Sequence, residues 1–314
     1  MRIAIFGTGG VGGYFGGRLA EAGEEVVFIA RGDHLRAIQS QGLRVESVLG
    51  DFTINPAQAT DDPANVGPVD VVLVCVKAWQ VAEAVQAIRP LVGPETMVVP
   101  LQNGVDAPAE LAAVLGEEAV AGGLCGLIAF VAGPGHIRHT GIEPFINFGE
   151  LDHRRSERIE RLHQVFARTK GVLVEVPADI KAAMWRKFLL IATWSGVGAV
   201  TRAPIGVLRS MPETREMLEQ SLQEIYSVAL AHQIALPADV VSQTLAFIDT
   251  FPPHGTASMQ RDIMAGRPSE LASQNGAVVR LGREVDVTTP LHNFIYYSLL
   301  PLEMRARGKV EFAN

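Results

Sequence analysis

Cysteine is scarce in this chain of 314 residues: there are two, Cys75 and Cys125. Cys75 lies inside the apolar run Val71-Val-Leu-Val-Cys-Val76 and Cys125 lies among Gly and Leu. Both read as small core residues, and no disulfide framework is implied. No apolar run approaches the ~20 residues that span a bilayer, so no membrane partner is expected. The chain starts directly on a strand, with nothing like a signal peptide ahead of it, and a cytoplasmic location is the expectation. Positive charge is also in deficit: 27 Lys and Arg against 34 Asp and Glu give a formal net charge of -7. No run of Lys and Arg overrides that balance, which argues against nucleic acid as a partner, since phosphate backbones need a basic face. Internal repeats and low-complexity segments are absent too. What remains is 48% hydrophobic and 19% charged, the profile of a well-packed globular protein long enough for about two domains.

The most informative feature is the opening, where the strand Ile3–Phe6 runs into Gly7-Thr-Gly-Gly-Val-Gly12 and then an amphipathic helix over Val11–Ala22. A lone GxGxxG is weak, but a strand before it and a helix after it make a dinucleotide fingerprint. Gly7 permits the tight turn, Gly9 lets the backbone approach a pyrophosphate, and Gly12 allows close helix–strand packing. The helix N-terminus offers its free N–H groups to the phosphates. Gly7, Thr8, Gly9, Gly10, Val11 and Gly12 are therefore candidate cofactor contacts. After the second strand, Glu25–Ala30, an NAD-binding fold would place an acidic residue for the ribose; this chain has Arg31. A guanidinium there suits the 2′-phosphate of NADP(H). Asp33 reads as the N-cap of a short helix over Asp33–Ser40.

Strands and helices alternate through the first half. Leu43–Val48 and Asp51–Ile54 suggest a hairpin, Val69–Val76 a central parallel strand, Gln80–Leu91 a helix, Thr96–Pro100 a strand and Pro108–Leu115 a helix. Ala119–Val131 is strand-like, Gly133–Gly141 a turn with an extended arm, Phe145–Gly149 a strand and Ser156–Thr169 a helix, with Val172–Val176 closing the sheet. Beyond Pro177 helical periodicity takes over, with helices expected at Ile180–Val200, Glu213–His232, Ala238–Thr250, Ser258–Ala265, Glu270–Leu281 and Pro290–Arg305, punctuated by Gly and Pro. Gly308–Asn314 reads as a loose tail. The fold class is α/β: an N-terminal Rossmann-type doubly wound domain, 1–177, followed by an all-α C-terminal domain, 178–314. The helices Glu213–His232 and Pro290–Arg305 carry enough apolar residues to bury a face, either internally or in a homodimer.

A nicotinamide site needs a hydride path, a proton donor and groups that hold the substrate, at the carboxyl ends of the strands. Lys77 and Asn103 follow two of those ends; the plain alternatives are a solvated lysine and an ordinary Asn-Gly turn. Lys187 stands among Met184, Trp185, Phe188, Leu189, Leu190 and Ile191. It is either a partly desolvated general acid or a surface lysine with a snorkelling stem. Glu270 follows Pro268-Ser269 at an apparent helix start, where a carboxylate complements the helix dipole. His136-x-x-His139 has metal-like spacing, but no third ligand is placed and no metal is expected.

Taken together, Gly7–Gly12, Ala30-Arg-Gly32, Val76-Lys-Ala-Trp-Gln80, Leu101-Gln-Asn-Gly-Val105, His139-Thr-Gly141, Met184-Trp-Arg-Lys187, Ser258-Met-Gln-Arg-Asp262 and Glu270 with Asn275-Gly276 resemble the ketopantoate reductase (2-dehydropantoate 2-reductase) family over nearly the whole chain. The resemblance implies NADPH-dependent reduction of ketopantoate to pantoate, a step of pantothenate biosynthesis. It makes Lys187 the proton donor, with Asn103 touching cofactor and substrate and helping to orient the lysine. Ser258 helps hold the substrate, with Met259, Gln260 and Arg261 nearby, and Glu270 lies where cofactor and substrate meet. Arg31, Lys77 and the backbone around Ile128 become cofactor contacts. Where the family places asparagines after the lysine, this chain has Ile191 and Ser195, and further on Ile205; Ser195 is the polar group left to meet a substrate there. The segment Ser269-Glu-Leu-Ala272 lacks the family's aspartate. Losing those donors and acceptors disfavours a polar substrate, so a more apolar 2-oxo acid or ketone is the alternative. Two rivals are a β-hydroxyacid or glycerol-phosphate dehydrogenase type, and a non-catalytic NADPH-binding sensor.

Overall fold

The computed structural model of the chain describes residues 1–312. It divides into two compact units: Met1–Gln102 with Ala107–Ile180, and Asn103–Asp106 with the chain from Lys181 onward. The first unit runs β1 (Arg2–Phe6), α1 (Gly10–Glu21), β2 (Glu25–Ile29), α2 (Gly32–Gln41), β3 (Leu43–Ser47), β4 (Phe52–Ile54), β5 (Gln58–Thr60), β6 (Val71–Val74), α3 (Val81–Ala87), β7 (Met97–Pro100), α4 (Ala107–Leu115), β8 (Gly122–Gly133), β9 (His136–Gly149), α5 (Glu157–Ala167) and β10 (Leu173–Glu175). Five parallel strands form the Rossmann sheet in the order β5-β2-β1-β6-β7. Its central strands are unbroken apolar runs because both faces are covered; Val71 to Val74 are all buried.

The remaining strands make a second sheet, in the order β10-β9-β3-β4 with β8 paired to β9. This corrects the expectation of a single sheet closed by Val172–Val176, since β10 pairs in parallel with β9, Leu173 opposite Phe145. The turn and extended arm expected at Gly133–Gly141 are present, and the arm is paired. It is the start of β9, which pairs antiparallel with β8 through Ile128 opposite Thr140 and Ala129 opposite His139. The tight turn between them uses Gly135 at φ +67°, a conformation glycine adopts without steric cost. Asp33 is not the cap of α2: Arg31 holds the extended backbone at the helix entry, and the Asp33 carboxylate pairs with Arg36 in the first turn. His136 and His139 go separate ways, His136 toward Glu46 and His139 to Ser47 Oγ at 2.8 Å and the Ile142 carbonyl at 3.0 Å.

The second unit is helical: α6 (Ile180–Thr201), α7 (Ile205–Ser210), α8 (Pro212–Ala231), α9 (Val240–Asp249), α10 (Ser258–Met264), α11 (Asn275–Glu284) and α12 (Pro290–Ala306). α7 was not expected; six residues are too few to show a period. The apolar faces of α8 and α12 are buried within the unit, through Leu218, Leu222, Ile225, Val228, Ile295 and Leu299. No described helix is long and apolar enough to cross a membrane. Gly308–Phe312 forms no regular element, and the rest of the expected tail, 313–314, lies outside the described residues.

α6 is the spine of this unit, and small residues let polar side chains dock against it. A Cβ on Gly196 would sit 2.9 Å from Asn275 Oδ1, and one on Gly198 would sit 2.6 Å from Gln260 Oε1. Both partners are fully buried and donate to backbone carbonyls, Asn275 Nδ2 to Ala192 at 3.1 Å and Gln260 Nε2 to Ala203 at 2.9 Å. A further buried chain runs from Thr193 of α6 to Ser221 Oγ (2.8 Å) and on to His292 Nε2 (3.2 Å). Glu224 completes it, accepting from His292 Nδ1 at 2.7 Å and from the N–H groups of Leu291 and His292 at 2.8 and 3.0 Å. Thr289 supplies no side-chain cap to α12, so a glutamate from α8 does that work.

Burial pushes the Glu224 carboxyl up, but the His292 ring and the two backbone N–H groups outweigh it and hold the carboxyl below its usual range. A depressed folded-state value means this stabilisation is complete above the unfolded carboxylate value of about 4.3 and is lost as pH falls through the folded one. Glu224→Gln is expected to cost about 1–3 kcal/mol at pH 7 and to flatten the acid limb of stability, read from urea midpoints between pH 7 and pH 3.

Candidate active site

The site starts where the chain leaves β7. Gln102 is buried and its Nε2 donates to the carbonyls of Val74 and Val76 at 2.8 and 2.9 Å, tying the ends of β6 and β7 together. The next residues, Asn103–Asp106, belong to the helical unit. Gly104 has φ +108°, and a Cβ there would lie 2.8 Å from the Ser273 carbonyl oxygen. Glycine is therefore required twice, by conformation and by close approach. Arg280 then holds Asp106 at 2.6 Å. Asn103-Gly104 is thus a docked segment of the helical unit, more than an ordinary turn.

Docking brings three expected residues into one hydrogen-bonded chain. Lys187, half-buried on α6 beside Met184 and Phe188, donates from Nζ to Asn103 Oδ1 at 3.0 Å. Asn103 Nδ2 donates to Glu270 Oε2 at 3.0 Å. An ionised carboxylate only accepts and an ammonium only donates. The amide between them therefore has one workable orientation, nitrogen toward Glu270 and oxygen toward Lys187. Gln274 Nε2 approaches the same Glu270 oxygen at 3.4 Å; it was not foreseen, although its place four residues after Glu270 was a usable signal. Glu270 is 5% exposed. It does not begin a helix: residues 270–274 form consecutive turns and α11 starts at Asn275. The helix-dipole explanation of this carboxylate therefore fails.

Ser258 is the first residue of α10 and half-buried, and Ser195 lies on α6 at 2% exposure. Neither takes part in the hydrogen-bonded chain among the described residues. Ile191, one turn after Lys187, is half-buried on nearly the same side of α6. Ile205 is fully buried in the core of the helical unit, a packing position.

In the first unit the glycines behave as their spacing requires. Gly7 has φ +100°, and a Cβ on Gly12 would strike the Gly7 carbonyl oxygen and approach Ile5 Cγ2 to 2.7 Å. Around Gly9 nothing lies within 4 Å of an added Cβ, and the N-terminus of α1 has no side-chain cap and no acidic residue in its first turn. That is an open cradle for a diphosphate. Gly10 adds a feature the sequence did not show: a Cβ there would collide with the Ala129 carbonyl of β8. Ile128, its neighbour, is 45% exposed. Val11 is half-buried, while Thr8 is buried and donates its hydroxyl to the Ile29 carbonyl at 3.0 Å, pinning the loop to β2. Arg31 and Lys77, both exposed, follow β2 and β6 on either side of β1. Arg31 faces Glu83 at 3.5 Å, and the Lys77 ammonium lies 5.8 Å from the Trp79 ring centre.

Comparison with known proteins fits this geometry. Residues 3–153 match the family model described as Ketopantoate reductase PanE/ApbA, and residues 179–303 match its C-terminal model. The chain belongs to the ketopantoate reductase family. It is 31% identical to the 2-dehydropantoate 2-reductase of Nostoc sp., covering 98% of this chain and 96% of that protein. A crystal structure of 2-dehydropantoate 2-reductase from Geobacter metallireducens GS-15 is 31% identical with a TM-score of 0.88, covering 98% of this chain and all of the other. A ternary structure of D-mandelate dehydrogenase with NADH and anilino(oxo)acetate has a TM-score of 0.86 over 98% of this chain and 99% of that one, at 22% identity. That last likeness is one of fold alone. The protein is thus an oxidoreductase of a family whose members use nicotinamide dinucleotides. Gly12→Ala is expected to weaken dinucleotide affinity about tenfold or more, by overpacking against the Gly7 carbonyl, measured by nicotinamide fluorescence titration alongside circular dichroism.

Proposed function

We propose that the protein uses NADPH to reduce the 2-oxo group of a 2-oxo acid, with ketopantoate converted to pantoate for pantothenate biosynthesis. One observation carries this reading: the Lys187–Asn103–Glu270 chain, which presents an ammonium in a fixed direction. Bound NADPH supplies the hydride that adds to the ketone carbon. The residues of this chain do the rest. Lys187 donates its proton to the ketone oxygen as negative charge develops there, so the product leaves as a hydroxyl and no free alkoxide forms. Asn103 Oδ1 holds the ammonium on its line, and Glu270 keeps the amide from turning over. The neutral amine then takes a proton back from water. Ser258 and Ser195 are proposed substrate contacts, with the low exposure of Ser195 leaving the larger part to Ser258.

The diphosphate would lie on Gly7–Gly12 at the start of α1, with Ile128, Asn103 and Glu270 as further cofactor contacts. Arg31 and Lys77 put two cations at the ends of the strands that flank β1, with no acidic residue in the ribose position, which supports NADP(H) over NAD(H). Ile191 favours a second reading of the substrate. It offers an aliphatic surface one turn from Lys187, suited to a 2-oxo acid with a more apolar side chain than ketopantoate.

Lys187→Ala is expected to lower kcat by about 10²–10⁴-fold, followed as NADPH oxidation at 340 nm with ketopantoate and a panel of branched and aromatic 2-oxo acids. A rate equal to wild type would remove Lys187 from the chemistry. Tight NADPH binding with no turnover on any of these acids would favour a cofactor sensor. Arg31→Ala is expected to raise Kd for NADPH by about 10–100-fold while leaving NADH nearly unchanged, as loss of a charge-assisted contact to the 2′-phosphate predicts.

A further inference from the structure

Glu270 has no helix to hold it, yet its backbone is gripped from α12. Glu303, 4% exposed, accepts the Ser269 N–H at 3.0 and 3.1 Å through both oxygens. It also accepts the Ser269 hydroxyl at 2.5 Å and Arg307 Nε at 2.6 Å. Arg307 Nη2 donates to the Ser269 carbonyl at 3.0 Å. Every polar group of Ser269 is thus engaged, its hydroxyl also accepting from the Leu271 N–H at 3.3 Å.

The Ser269 carbonyl lies in the same planar peptide unit as the N and Cα of Glu270. Fixing that carbonyl fixes the plane from which the Glu270 side chain departs. On the other side the Glu270 carbonyl accepts from the N–H groups of Ser273 and Gln274 at 3.1 and 2.9 Å. With both peptide planes held, only side-chain torsions remain to place the carboxylate against Asn103. A buried carboxylate is costly unless fully paired, and this one is paired with Ser269, the residue next to Glu270, and with Arg307, which itself holds the Ser269 carbonyl.

We infer that Glu303, with Arg307, is a positioning residue for reduction: it clasps Ser269 and so aims the Glu270 carboxylate at Asn103, which in turn orients Lys187. The inference rests on the proposed roles of Lys187 and Glu270. Glu303→Gln keeps the shape but removes the charge and sets an amide NH₂ against either Arg307 or the Ser269 N–H, so one acceptor oxygen is left where there were two and the clasp is weakened.

A double-mutant cycle on the full-length enzyme tests this with Glu303→Gln, Glu270→Ala and the pair, using NADPH and the 2-oxo acid that wild type turns over. Glu303→Gln is expected to lower kcat about tenfold, with KM for NADPH changed by less than about twofold, and to add less than about twofold in the Glu270→Ala background, as coupled residues do. Wild-type kcat in Glu303→Gln, or the same loss in both backgrounds, overturns the inference. If Glu303→Gln loses its cooperative melting transition, Ser269→Ala replaces it in the same cycle, with a loss of about threefold expected and the same criterion. A second readout needs no substrate: the rate at which acetyl N-hydroxysuccinimide modifies Lys187 at fixed pH, followed by peptide mass spectrometry. This rate is expected to rise about threefold in Glu303→Gln and to be no higher in the double variant than in Glu270→Ala. An unchanged rate counts against the clasp. Absent turnover in wild type, or full turnover in Lys187→Ala, would instead sink the proposed function, and the labelling cycle would still judge the clasp.

Discussion

An amide caught between a carboxylate and an ammonium is the constraint on which the rest of this site depends. Glu270 can only accept and Lys187, when charged, can only donate, so Asn103 has one orientation that satisfies both of its 3.0 Å contacts. Turning the amide over would set like groups against each other at both ends. The consequence is a lysine whose direction is chosen by the protein before any ligand arrives, which is the form of preorganisation that general-acid catalysis rewards.

Such an arrangement is only as rigid as its supports, and each member has its own. Asn103 is held because Gly104 lets the chain press against the Ser273 carbonyl and because Arg280 binds Asp106. Lys187 rides on α6, whose glycines admit the buried amides of Asn275 and Gln260 and whose Thr193 joins the Ser221–His292–Glu224 chain. Glu270 sits in consecutive turns fastened by α12. Gln260, Glu270, Asn275, Thr193, Ser221, His292 and Glu303 are buried among these groups, and each replaces water with a fixed partner, so the cost of desolvation is met by geometry that also limits motion.

The two halves of the substrate question separate on physical grounds. In the proposed reaction, proton donation to a ketone oxygen needs the charge and direction of Lys187 and is indifferent to what the rest of the acid looks like. The same proposal leaves recognition of that remainder to the neighbours along α6, where Ile191 is aliphatic and Ser195 is almost wholly buried. On that proposal a hydroxylated side chain would find few partners there, while an apolar one would gain contact area. Ile205 takes no part in that balance, because it is spent in the core.

Much of the first unit was legible in the order of residues. Gly7, Gly9 and Gly12 act through conformation and missing Cβ atoms, which are properties of the residues themselves, and the apolar run at Val71–Val74 declares a strand covered on both faces. Helical periodicity likewise gave the class of the second unit and most of its helices. The candidates Lys187, Asn103 and Glu270 were identifiable by type and by resemblance, but not as a bonded set, since 84 and 167 positions separate the partners. Only the tertiary structure decided that the β8–β9 hairpin and β10 build a second sheet, that Ala129 closes on Gly10, that Glu270 lies in a turn and that Ser269 is clasped by Glu303. A sequence pattern reports which side of an element avoids water; it does not say which distant backbone carbonyl or carboxylate will occupy the space on that side, because that is settled when the elements pack.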